Sequence, residues 1–171
     1  MIIRQTSVAD FDLIDAVHMS AFESTSFGHQ GESQLVRLIH AAGDMLVSLV
    51  AQEFDQIVGH ALFSAMIVEA DGRPLMAAAL APVGVRPECH GRGIGTALIN
   101  AGIAELRRIN IQISFVLGNP LYYPRFGYSA VNAKPFASPY AGPHFMALFL
   151  DKSLLLPDSG TATYAAAFGA L

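Results

Sequence analysis

Six residues, His90-Gly91-Arg92-Gly93-Ile94-Gly95, separate an apolar run from a helical repeat, and this junction constrains the fold more than any other feature. Leu75 to Val85 upstream is apolar and carries Pro82 and Gly84, which reads as a buried strand. Downstream, Ile99, Ile103 and Leu106 share one helical face, with Arg107 and Arg108 in the last turn where cations suit the helix dipole. The glycines therefore stand between a strand and the start of a helix. A helix N-terminus exposes unpaired amides and a partial positive charge, and side chains would only obstruct an approaching anion. Glycines at 91, 93 and 95 remove that obstruction and permit positive φ, while Arg92 offers a charge-assisted contact and Thr96 a hydroxyl. A phosphate-bearing ligand is the expectation. A Walker loop would need a lysine after the glycines, and a dinucleotide fingerprint would need an early βαβ unit; neither condition is met.

The surrounding pattern predicts one domain. Ile2-Ile3-Arg4 starts a strand, and Ser7 with Asp10 caps a helix whose apolar positions are Phe11, Ile14 and Val17. Ser24 to Gly31 is a break, after which Leu35, Leu38 and Ile39 mark a second helix ending near Gly43. Met45 to Ala51 and Ile57 to Val68 read as a hairpin, and the Asp71-Gly72 turn leads into Leu75 to Val85 as a third antiparallel strand. Ile111 to Leu117 and His144 to Leu150 are later strands, Ala133 to Pro143 a long loop, and the tail after Pro157 an appendage. The order β-α-α-β-β-β-α-β-α-β-β predicts an α/β (α+β) chain with a mixed, mainly antiparallel sheet flanked by helices. Residues 1–152 form the domain in this reading, and 153–171 are a C-terminal tail, part of the same domain or an appendage to it.

Composition narrows the function. The chain is 53% apolar over 171 residues, but no run is long enough to span a bilayer, and Arg4, Asp10, Asp12 and Asp15 break any leader-like stretch. A cytoplasmic protein is expected. One cysteine, Cys89, excludes an intrachain disulfide and a multi-thiolate zinc site, and the formal charge of −4 disfavours nucleic acid. His18, His29, His40, His60 and His144 show no metal-ligand spacing, so no metal is expected. The hydrophobic excess and small-residue tail leave room for a homodimer.

The run from Leu80 to Leu98 resembles the cofactor motif of the GNAT superfamily of N-acetyltransferases, [QR]-x-x-G-x-[GA] after a V-x-V-x-P strand end. His90 stands where that family usually has Gln or Arg. The segment Val116 to Tyr128, with Leu117-Gly118-Asn119-Pro120-Leu121-Tyr122-Tyr123-Pro124-Arg125-Phe126-Gly127, is similar to the YhbS-type branch. The resemblance implies acetyl-CoA as acyl donor, its pyrophosphate on His90 to Thr96 and its pantetheine in a V-shaped slot beside Val83, Gly84 and Val85. Asn119 and Tyr122 fall in the same implied cofactor set. Pro82 lacks an N–H and Gly84 weakens strand packing, which agrees with an interrupted ladder there.

The implied reaction is direct transfer of acetyl to a primary amine of a small molecule or peptide. It needs a neutral amine and a proton for the departing thiolate. Tyr123, four residues before Gly127, is implied as the acid, with Tyr122 competing. Glu32 matches an acidic position of the branch and is the implied base; Glu69 and a water chain stay open. Two rival readings also stay open: an acyl-CoA sensor without turnover, and an acyltransferase with a longer acyl donor or an oxygen acceptor. Ser24 to Glu32 and Ala133 to Pro143 are expected to wall the acceptor pocket.

Overall fold

The computed structural model describes residues 1–22 and 31–170. Most of the Ser24 to Gly31 break, with His29, lies outside them. Strand β1 (Ile2–Gln5) is followed by a 3-10 turn (Val8–Asp10) and helices α1 (Phe11–Phe22) and α2 (Glu32–Ala42). Strands β2 (Met45–Glu53), β3 (Gln56–Ala70) and β4 (Arg73–Val85) precede α3 (Ile94–Arg108) and β5 (Ile113–Leu117). A four-residue helix α4 (Ala130–Ala133) and strands β6 (Phe136–Ala137), β7 (Phe145–Phe149) and β8 (Gly160–Thr163) complete the order.

The sheet runs β1-β2-β3-β4-β5-β7, antiparallel except for the β4–β5 pair, while β8 pairs antiparallel with β3 and parallel with β6. The mixed, mainly antiparallel sheet expected from the pattern is therefore present. Two expectations are corrected. The segment after Pro157 is no appendage, because Gly160 to Thr163 lie against Ala70 to Ile67 and extend the sheet. The supposed loop Ala133 to Pro143 contains β6. Both strands are too short, and β8 too rich in small residues, to show a period of two; their partners hold them.

Local chemistry fixes the ends of the early elements. The Ser7 amide and hydroxyl both donate to the Asp10 carboxylate at 2.7 and 2.9 Å, and Arg4 clamps the same carboxylate from the other side at 2.7 and 2.8 Å. This arrangement holds the Asp10 carboxyl well below the usual carboxylate range, chiefly through the Arg4 hydrogen bonds. Helix α2 stops at Gly43, whose φ of 76° is left-handed.

Two helical layers cover opposite faces of the strands. Leu98, Ile99, Ile103 and Leu106 of α3 pack with Leu49, Ala51, Ala61 and Phe63. Ile14 and Val17 of α1, with Val36 and Ile39 of α2, pack with Val50, Ile57 and Leu62 on the other face. From Gly59 to Phe63, β3 residues alternate between these layers, as a pleated strand requires. Truncating a fully buried core position such as Phe63 or Ile39 to Ala costs about 2–5 kcal/mol. The two layers therefore hold β4, the strand between them, from both sides.

Candidate active site

The site begins where β4 leaves its neighbours. Ala61 pairs with Val83 but Phe63 with Leu80, so β4 carries one residue more than β3 across that step, at Ala81-Pro82. That is a bulge. On the other edge, β4 and β5 pair only from Ala77–Ile113 to Ala79–Phe115, although β4 runs on to Val85 and β5 to Leu117. The two strands diverge beyond that point and leave a slot. The Arg86 amide donates to the Val58 carbonyl at 2.9 Å. By the two-residue alternation of an antiparallel ladder, Gly84 then faces β3, and Val83 and Val85 turn their backbone groups into the slot.

A pocket of ≈ 470 Å³ opens there, lined by Val83, Val85, Cys89, His90, Gly91, Gly93, Ile94, Gly95, Thr96, Tyr122, Tyr123 and Arg125. Its floor is the start of α3. Gly91 and Gly93 have φ of 74° and 77°, the left-handed region in which a side chain is strained. Gly93 is the N-cap, and the Ala97 amide is the first to reach back, to the Gly93 carbonyl at 2.9 Å. The amides of Ile94, Gly95 and Thr96 thus have no partner in the helix and converge on the pocket. A Cβ on Gly95 would stand 3.3 Å from the Tyr122 hydroxyl, so this glycine keeps the passage open. His90 donates from Nε2 to the Val85 carbonyl at 2.8 Å and ties the loop to the strand end.

The tyrosines form the opposite wall. Gly118 allows Tyr123 to sit against β5, since a Cβ there would fall 2.2 Å from the ring. Tyr123 packs edge-on to Tyr122 and Tyr128, with centroids 5.2 and 6.1 Å apart. Burial, and secondarily Tyr122, push the Tyr123 phenol up to about 12. It is protonated throughout the neutral range, and its hydroxyl makes no hydrogen bond among the described residues. Tyr128 is fully buried and bonds Ser114 at 2.8 Å, so it belongs to the core.

Not every residue singled out by sequence is brought to the pocket. Arg92 turns away to Glu53 at 2.6 Å and does not line the pocket. The pocket's cation is Arg125 instead, stacked 4.4 Å above the Tyr122 ring and donating from Nε to the Tyr122 carbonyl at 2.9 Å. Its sequence signal was local: a basic residue three positions after Tyr122 lands above that ring when the segment forms a 3-10 turn, here Tyr123–Phe126. Asn119 is a turn former, accepting the Leu121 amide on its side chain at 2.8 Å, and Glu32 opens α2; neither lines the pocket. Glu69 is excluded by distance, since it lies eight residues beyond Ala61, about 26 Å along β3. Behind Gly84, on the α1 face, two histidines missed as a pair are hydrogen-bonded at 2.8 Å, His18 to His60.

A bulged strand, a parallel neighbour that diverges from it and a glycine-capped helix at the mouth match a known family. Residues 3–131 fit the family model described as an acetyltransferase (GNAT) domain. The chain belongs to the GNAT acetyltransferases. It is 35% identical over 135 residues to the uncharacterized N-acetyltransferase YjhQ of Escherichia coli K12, covering 77% of this chain and 75% of the relative. YhbS of the same strain is 30% identical over 116 residues, 67% and 68% of the two chains. Among solved structures, a GNAT family acetyltransferase from Brucella melitensis in complex with acetyl-CoA is 32% identical, with a TM-score of 0.82 over 98% of this chain and 97% of that one. Escherichia coli YhbS in complex with CoA gives 0.83 at 25% identity, over 98% and 91%. No described helix is long and apolar enough to cross a membrane.

Proposed function

We propose that this GNAT chain binds acetyl-CoA in the β4–β5 slot and transfers its acetyl group to a primary amine of a small molecule or peptide, by direct attack within a ternary complex. The observation that carries this reading is the continuity of the slot with the amide-lined pocket and the Tyr123 ring. The solved relatives with acetyl-CoA and CoA support the choice of ligand.

The residues present fit that ligand. The free amides of Ile94, Gly95 and Thr96, with the backbone of Gly91 to Gly93, suit a pyrophosphate, and Arg125 adds the charge that Arg92 gives to Glu53. The Val83 and Val85 backbone suits amide groups of a pantetheine arm laid along β4 as an added strand. Acetyl-CoA supplies an activated acyl carbon on a sulfur leaving group. Tyr123 holds the proton that the departing sulfur needs. The surroundings that keep this proton on the phenol also raise the proton affinity of a thiolate formed beside it, so the transfer is less uphill than ordinary values imply.

Replacing Tyr123 by Phe tests the assignment. Free-thiol release falls by about 10²–10⁴-fold while calorimetric CoA affinity is kept. Wild-type protein that binds CoA but releases no thiol with any amine of a broad panel contradicts the enzyme reading and leaves a sensor.

A further inference from the structure

On the face away from the pocket, the slot strand rests on one imidazole. A Cβ on Gly84 would stand 2.7 Å from His18 Nδ1 and 3.0 Å from His18 Cε1, closer than side chains pack. The φ of Gly84 is not positive, so its backbone accepts an ordinary residue, and what requires glycine there is the ring of His18. The next atom, the Ala21 Cβ of the same helix, lies at an ordinary 3.6 Å. Gly84 stands between Val83 and Val85, the two β4 residues that line the pocket.

The ring is held so that it cannot yield. His18 and His60 are 1% and 0% exposed. His18 Nε2 lies 2.8 Å from His60 Nδ1, His60 Nε2 lies 2.9 Å from Ser48 Oγ, and Ser48 Oγ lies 2.7 Å from Thr6 Oγ1. His18 also stacks on Phe22, with the ring planes 14° apart. His60 is the β3 residue paired with Gly84 in the ladder, so an imidazole fixed on β3 holds a second one over its own β4 partner. A buried N–H without an acceptor is costlier than an unpaired lone pair. Nδ1, which has no hydrogen-bond partner among the described residues, is therefore the unprotonated nitrogen, and Nε2–H donates to His60. The ring has one hydrogen-bonded edge towards β3 and one bare edge on β4, the form of a spacer. Burial lowers His18 to about 4, so the spacer is uncharged at neutral pH.

This stretch of β4 needs such a support. Among the described residues its pairing with β5 ends at Ala79, and the bulge at Ala81-Pro82 breaks the register with β3, so one ladder holds Val83 to Val85 in the sheet. Their depth between the two helical layers is set by packing: Val83 and Val85 against the α3 layer, and Gly84 against His18.

We propose that His18 is a positioning residue for the acyl donor: held by His60, it sets how far β4 stands from α1 at Gly84, and so where the Val83 and Val85 backbone meets the pantetheine arm. The inference rests on the reading of the slot as a CoA site. His18 touches neither donor nor acceptor, and acts through the strand.

The test separates the arm from the nucleotide. CoA and 3′-phospho-ADP, which has the same nucleotide and pyrophosphate but no arm, are titrated by calorimetry into wild type, Gly84→Ala and the double variant Gly84→Ala with His18→Ala. The new Cβ pushes β4 off the ring, so Gly84→Ala is expected to weaken CoA about tenfold, the worth of one backbone hydrogen bond, and 3′-phospho-ADP less than about twofold. The double variant makes room for that Cβ and should bind CoA more tightly than Gly84→Ala alone. Unchanged CoA affinity in Gly84→Ala, equal weakening of both ligands, or no recovery in the double variant overturns the positioning role and leaves the slot reading standing. Wild type that binds no CoA overturns the slot reading, and the positioning role with it. Should Gly84→Ala fail to fold, imidazole NMR of wild type decides: CoA should shift the His18 signals and 3′-phospho-ADP should not, and His18 signals that ignore CoA overturn the proposal.

Discussion

The two faces of β4 at Val83 to Val85 solve opposite problems with the same backbone. On the α3 face the chain removes side chains, at Gly91, Gly93 and Gly95, and presents bare amides to the pocket. On the α1 face it buries two imidazoles, pairs them with a serine, and leaves one nitrogen, packed against Gly84, without a hydrogen-bond partner among the described residues. The first surface acts through fixed partial charges and carries, in Tyr123, a phenol that burial keeps protonated. The second is neutral, its imidazoles kept uncharged by burial.

The sharpest way to separate the faces is Tyr123→Phe, expected to cost about 10²–10⁴-fold in turnover without altering the His18–His60 pair. Steady-state kinetics and imidazole NMR on the same variant check both halves. Gly93→Val comes next. It forces a β-branched residue to φ of 77° and displaces the amides of α3, so CoA affinity should fall on the order of 100-fold by calorimetry. An unchanged affinity would break the account of the α3 face.

The α1 face should register instead in stability. In the unfolded chain both histidines protonate near 6.5, whereas folded His18 does so only near 4 and His60 is also held low. Between those values the unfolded state binds more protons, so stability falls as pH drops from about 6.5 to about 4. The slope should approach ~1.4 kcal/mol per pH unit for each histidine. Asp10, held low by Arg4, adds a further loss at still lower pH. Urea midpoints across this range should show the slope, and His18→Gln should flatten it. The smallest effect separates two arginines. Arg125→Ala should weaken CoA about tenfold through loss of a charge-assisted contact, while Arg92→Ala, which breaks a half-exposed pair with Glu53, should change it less than about twofold.

The same contrast explains what was legible in the sequence. The α3 face is written in consecutive residues, because a strand end, a glycine cap and the first helical turn are local in the chain. Its loop, its slot strand and Tyr123 could each be picked out in sequence, and they line one pocket. The α1 face is assembled from Thr6, His18, Ser48 and His60, brought together only by the pairing of β2 with β3 and the packing of α1. Its one trace in sequence was a histidine on each of two apolar patterns, next to Val17 and between Val58 and Leu62. Arg92 misled for a related reason: the loop predicts a cation near the ligand, but Glu53, 39 positions earlier, claims it. Strand β8 was hidden because four small or polar residues carry no pattern without Ile67 to Ala70 beside them.

The central claim, that the glycine loop and the β4–β5 slot form one CoA site, is met most directly by a crystal structure of this protein with CoA. The account predicts pyrophosphate oxygens within hydrogen-bonding distance of the Ile94 to Thr96 amides, the guanidinium of Arg125 beside them, and the pantetheine arm along Val83 and Val85. CoA bound elsewhere, for instance in the apolar pocket between Ala130 and Phe145, would contradict it.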